Sequence, residues 1–253
     1  MKVTVLGTGS SQGIPVVACN CKVCKSNDSK DKRLRTSIMI TIDGKNIVID
    51  SGPDFRHQML RENVDKIDAI VFTHQHKDHT GGLDEIRAFN WVNKQAVDIY
   101  AEERVLNSLE SSFEYVFSKI KYPGAPEINI HTIDEIPFNI GNTHIVPIRG
   151  MHMKLPVLGY RINNFAYLTD FNFIEKNQLK KLEGIEVLIL NSLRHETHIS
   201  HYSLSESLDL IKKINPQKAY LTHISHQMGL YSEINPTLPQ NVELAYDRLV
   251  LNI

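Results

Sequence analysis

Cysteine is scarce in this chain of 253 residues, with only three, and neither sign of charge is in excess: 28 Lys and Arg stand against 29 Asp and Glu, a formal net charge of −1. Such a balance excludes a large field steering nucleic acid or an anionic membrane surface to the protein, and it speaks against a large nucleic-acid partner. Long apolar runs are missing as well. The longest, residues 69–72 and 187–190, are strand-sized and far short of the roughly 18–20 residues that span a bilayer. The N-terminal apolar stretch is broken by Gly7 and Gly9 before a signal-peptide core could be completed, so a soluble, cytoplasmic protein with no membrane partner is expected. An apolar content of 42% with 23% charged residues excludes disorder, collagen and coiled coil as the main description. Histidine is what the chain has in quantity, with 12.

Short apolar runs predict strands at 3–6, 37–42, 46–50, 69–73, 144–148, 159–162, 165–169, 187–191 and 218–222, with a weaker one at 249–251. Helical patterns fall at 54–63, 83–91, 102–119 and 203–214, the last opened by the Ser203/Glu206 capping signature. No linker, repeat or low-complexity tract interrupts them, so one α/β domain over residues 1–253 is expected. The run Gly7-Thr8-Gly9-Ser10-Ser11-Gln12-Gly13 follows a strand but has the wrong glycine spacing for a dinucleotide fingerprint, and no helix pattern follows it. It reads as a tight turn that could border a site.

Thr73-His74-Gln75-His76-Lys77-Asp78-His79-Thr80, directly after an apolar strand, is an H-x-H-x-D-H motif. Three imidazoles and a carboxylate within six residues offer N and O donors suited to zinc, manganese or iron. Six residues cannot close a two-metal site, so further donors are expected at other strand ends; His152, Asp170 and His223 are placed to supply them.

With these residues in order, the chain resembles the metallo-β-lactamase superfamily along essentially its whole length. The resemblance implies an αββα sandwich with two divalent cations, Zn or Mn, at the sheet edges. It implies that His74, His76 and His152 hold one cation and Asp78, His79 and His223 the other, with Asp170 bridging. His152 is preferred over His144 because a G-Y-R sequence, Gly159-Tyr160-Arg161, follows it as in the family. Asp50 matches the position that supports the metal loop from behind.

Cys19, Cys21 and Cys24 form a C-x-C-x-x-C cluster, which in a reducing compartment argues for metal thiolates over disulfides but is one ligand short of a closed zinc site. Here the chain is similar to the cyclic phosphodiesterases of the carbon–phosphorus lyase system, and that likeness implies a structural zinc completed by His226. It also marks His201, just before the capped helix, as a residue for substrate phosphate or acid/base chemistry, with His195 and His198 as neighbouring rivals. Asp78 and His201 are the catalytic candidates.

The function implied is a binuclear phosphodiesterase in which a metal-bridging hydroxide attacks small, nucleotide or ribose, cyclic or open phosphodiesters. Rival readings are a tRNA 3′-processing nuclease, which would need a basic arm that the sequence lacks, a lactamase or thioesterase, and a metal-stabilised carrier similar to the pyrroloquinoline quinone biosynthesis B protein. The oligomeric state stays open, a homodimer included.

Overall fold

Successive side chains of a strand point to opposite faces, so near-continuous apolar runs such as residues 69–72 and 187–190 give a strand two apolar faces, and a chain with such strands must cover both sides of its sheets. The computed structural model describes residues 1–120 and 122–253. Its strands are β1 Lys2–Gly7, β2 Ser37–Ile42, β3 Lys45–Ile49, β4 Ala69–Val71, β5 Val97–Ala101, β6 Ile128–Thr132, β7 Phe138–Ile140, β8 Thr143–His152, β9 Leu155–Ile162, β10 Phe165–Leu168, β11 Phe173–Ile174, β12 Val187–Asn191, β13 Lys218–Thr222, β14 Val242–Leu244 and β15 Val250–Asn252. One sheet has the order β15-β1-β2-β3-β4-β5-β6 and the other β11-β8-β9-β10-β12-β13-β14, with β7 paired to β8.

Neighbouring residues on one strand go to different layers. Val3, Val5, Ile38 and Ile40 of the first sheet meet Leu158, Tyr160, Phe165, Tyr167 and Ile189 of the second in a core between the sheets. Leu6, Met39 and Val48, on the opposite face, are covered by Phe55, Met59, Val105, Leu106 and Leu109, which lie on the helices Phe55–Arg61 and Glu103–Ser112. On the outer face of the second sheet, Ala166, Leu168, Leu188 and Leu221 pack against Leu210 and Ile211 of the helix Leu204–Ile214. The layering is helix, sheet, sheet, helix, as expected.

That last helix carries the capping box read from the sequence: the Ser203 side chain accepts from the Glu206 N–H while Glu206 reaches back to the Ser203 backbone. Other elements differ from expectation. The predicted helix over 102–119 breaks at Phe113, whose ψ of 45° ends Glu103–Ser112 before a short Glu114–Phe117 turn. His152 does not precede a strand beginning at Gly159; it ends β8, in a hairpin with β9. The motif is irregular only as far as His76, because Lys77–Thr80 forms a helical turn carrying Asp78 and His79. Among the described residues no helix is long and apolar enough to cross a membrane.

Candidate metal centre

The loops after β3 and β4 meet where glycines leave room. A Cβ on Gly52 would stand 2.1 Å from the Asp78 carbonyl oxygen, and one on Gly82 2.2 Å from the Gly52 carbonyl oxygen. This approach seats Asp50, fully buried, behind the motif. It accepts from the Thr73 N–H at 2.9 Å, the Thr73 hydroxyl at 2.8 Å and His79 Nδ1 at 2.7 Å. Burial pushes the Asp50 carboxyl up, against the pull of His79 and Thr73.

Those bonds set the histidine tautomers. The Thr73 hydroxyl gives its hydrogen to Asp50, so His74 Nδ1, 3.0 Å away, is the donor to Thr73 Oγ1. His152 Nδ1 donates to the Ser200 carbonyl at 2.7 Å. In His74 and His152 the proton is therefore on Nδ1 and the Nε2 lone pair is free for a cation, while His79 turns its Nδ1 proton to Asp50 and leaves Nε2 facing the cluster.

The remaining donors converge there. Nε2 of His79 is 3.3 Å from Asp78 Oδ2 and 3.2 Å from Asp170 Oδ2, while His223 Nε2 is 3.2 Å from Asp170 Oδ1. Donor atoms of Asp78, His79, Asp170 and His223 all lie within 4.8 Å of one another, and so do those of His152, Asp170 and His201; Asp170 belongs to both groups. His74 and His76 complete the ring of imidazoles, with centroids 4.6 Å apart and His76 5.1 Å from His152.

Among the described residues, the buried Nε2 atoms of His74, His79 and His223 and Nδ1 of His201 have no hydrogen-bond partner. Several orphaned ring nitrogens around two carboxylates would be costly in a purely structural cluster; they are what a cation site requires. Charge is arranged to match. Burial raises Asp170 and Asp78, but for Asp170 the charges of His223 and His79, and for Asp78 the charge of His79 and the His223 ring 3.6 Å away, outweigh it and hold both carboxyls well below the usual range. His79 is buried yet raised well above its ordinary value by Asp170, Asp78 and Asp50. Burial, then His223, push His201 down to about 2, so it stays a neutral imidazole.

Three of these residues share a backbone feature that the sequence did not signal. Asp50, Asp170 and His223 have φ of 65°, 63° and 54°, each just past the end of its strand. Asp and His are among the few non-glycine residues that tolerate this region, and strain of this kind gathers at functional sites. His223 is held by the early glycine turn: Ile224 donates to the Thr8 carbonyl at 2.8 Å and Ser10 to the Ile224 carbonyl at 3.0 Å. His144 lies at the far end of β8, exposed and 3.0 Å from Asn139 Oδ1. His195 turns away to the Met228 carbonyl at 2.9 Å, while the His198 ring is 5.3 Å from that of His201.

Cys19, Cys21, Cys24 and His226 form a second, separate group. His226 Nδ1 is 3.3 Å from Cys19 Sγ and 3.4 Å from Cys21 Sγ, close to the roughly 3.5 Å that separates S and N ligands of a tetrahedral zinc. The Cys24 backbone N–H and His226 lower Cys21 to about 6, and burial pushes Cys24 up to about 11. The four residues suit one zinc ion.

Comparison with known proteins gives these sites a context. The family model described as the beta-lactamase superfamily domain matches residues 45–224. A Porphyromonas gingivalis protein named octanoyltransferase is 40% identical over 252 residues, covering 98% of this chain and 51% of that one. The chain spans about half the length of the curated relatives it matches. Among solved structures, one described as a new diphosphatase from the PhnP family is 38% identical with a TM-score of 0.93, covering 100% of this chain and 97% of the other. The zinc-bound PqqB of Methylobacterium extorquens shares the fold at a TM-score of 0.82 and 16% identity, over all of both chains.

Proposed function

Because the chain belongs to the beta-lactamase superfamily, we propose that it is a binuclear metal-dependent hydrolase of small phosphodiesters, cyclic ones included. The observation carrying this reading is the set of buried imidazoles whose Nε2 atoms lack partners around Asp78 and Asp170. In this reading His74, His76 and His152 hold one divalent cation and Asp78, His79 and His223 the other, with Asp170 between; N and O donors suit Zn or Mn. When bound, the pair supplies Lewis acidity that lowers the pKa of water and offsets charge on phosphoryl oxygens.

The chain's own groups orient and donate. Asp50 holds His79 and, through Thr73, His74; the Ser200 carbonyl holds His152. His201, neutral and buried beside Asp170, offers one N–H hydrogen bond to a phosphoryl or leaving oxygen, a contribution of about 10²–10³-fold in rate. A net charge of −1 favours a small substrate over tRNA.

The name octanoyltransferase belongs to a relative about twice as long, so acyl chemistry enters as an arm of the test. Thiol-relayed acyl transfer is disfavoured, since all three cysteines gather with His226. Metal analysis is combined with a panel of bis(p-nitrophenyl) phosphate, a cyclic ribose phosphate, an octanoyl thioester and a lactam. Hydrolysis of the phosphodiesters is expected. A metal-loaded protein inert on every phosphodiester sinks the reading, and turnover of the thioester alone replaces it.

A further inference from the structure

Two exposed large apolar residues flank members of the imidazole cluster along the chain. Met153, 51% exposed, follows His152, and Ile199, 74% exposed, lies two residues before His201; the rings of His152 and His201 are 4.4 Å apart. Asn172, two residues beyond Asp170, ties the two backbones together. Its Oδ1 accepts from the Met153 N–H at 2.9 Å, and its Nδ2 donates to the Ile199 carbonyl at 2.9 Å. Neither side chain packs into any of the apolar cores.

Met153 also occupies a position that suits a different residue. With Lys154 it closes the two-residue hairpin in which His152 pairs with Leu155, and its φ is 57°. Positive φ at the first loop position is what a type II′ turn demands, and glycine is the residue that supplies it freely. A methionine there is strained, with no core contact among the described residues to offset the strain, and strain of this kind next to a ligand cluster points to a functional use.

His198, beside Ile199, adds a polar group to the same rim. The Ser200 N–H donates to His198 Nδ1 at 3.4 Å and the Ser200 hydroxyl lies 3.2 Å from the same atom, so the neutral ring carries its proton on Nε2, which takes part in no hydrogen bond among the described residues. Two apolar side chains and one N–H donor match a flat heteroaromatic group, whose faces are apolar and whose edge carries acceptors. An alkyl chain would leave the donor unused.

We propose that Met153 and Ile199 form a clamp for a group of the nucleobase class attached to the substrate phosphate, with His198 Nε2–H meeting an acceptor on its edge. This rests on the phosphodiesterase reading, and makes Met153 and Ile199 specificity-determining residues for that reaction.

Two esters with one leaving group isolate the clamp: thymidine 5′-(p-nitrophenyl phosphate) and methyl p-nitrophenyl phosphate. A stacked base contributes enough for the natural protein to prefer the nucleoside ester by about tenfold or more in kcat/KM, expressed in KM. Met153→Gly, which the positive φ favours, keeps the hairpin and melts at the same or a higher temperature, yet reduces that preference to about twofold; Ile199→Ser reduces it likewise. Calorimetry of AMP against ribose 5-phosphate on the metal-loaded protein reads the same clamp without turnover. Hydrolysis of both esters with no base preference, or with a preference that both variants keep, overturns the clamp and leaves the phosphodiesterase reading standing. Base-dependent AMP binding without hydrolysis of either ester does the reverse. Absence of both overturns both.

Discussion

The two donor clusters are built on opposite plans. Cys19, Cys21 and Cys24 come from one short loop, need a single distant partner in His226, and are covered by Ile14, Val16, Val23 and Leu230. Four ligands make a closed set with no position left for chemistry. His74, His76, Asp78, His79, His152, Asp170 and His223 come from the C-terminal ends of β4, β8, β10 and β13 and the segments that follow them, reaching across both sheets. Their set has more donors than one ion takes, a shared carboxylate, and His201 alongside. One cluster ties a loop to the body of the protein; the other uses the whole sandwich to bring reactive groups together.

Separating the two is the purpose of the predictions. Asp170→Asn should abolish one or both cations of the larger cluster and lower kcat/KM for phosphodiesters by roughly 10³-fold, about 4 kcal/mol, with one zinc equivalent retained and melting little changed. Retention of full metal content and activity would contradict its shared role. Cys21→Ser should do the opposite: it loses one zinc equivalent and about 2–3 kcal/mol of stability, a fall in Tm of roughly 4–12 °C, while kcat/KM of the folded, metal-loaded protein stays within about threefold. Loss of activity with unchanged folding and zinc content would refute this division of labour.

Smaller effects sharpen it further. Asp50→Asn keeps the shape but weakens the bond that orients His79, so metal affinity or activity should drop about 10–100-fold, read by competition with a chelator. Ser203→Ala removes the cap of the helix behind His201; a loss of about 1 kcal/mol, or about 2–4 °C in Tm, is expected, with metal content unaltered.

How legible each cluster was follows from how local it is. The H-x-H-x-D-H run and the three cysteines are spacings within six residues, and a spacing can be read directly. Asp170 and His223 were readable because each ends an apolar run. His152 was harder: β8 extends from Thr143 through Gly150, where a side chain would strike Phe171, to His152, and nothing in its composition says that the strand continues past residue 148. The strands β5, β6, β7, β11 and β14 have no counterpart among the expected ones: β7, β11 and β14 are short, Ile128–Thr132 is largely exposed, and Val97–Ala101 has its apolar run interrupted by Asp98. The positive φ at Asp50, Asp170 and His223 left no trace either, since no glycine marks those positions and tertiary packing alone holds them there.

The central claim, one closed zinc site beside an open pair of catalytic cations, is tested most directly by titrating the metal-free protein with zinc while following hydrolysis of bis(p-nitrophenyl) phosphate. The account predicts three equivalents per chain, with activity absent after the first, which fills the cysteine site, and rising to a plateau as the second and third bind. Full activity at one equivalent, or none at saturation, would contradict it.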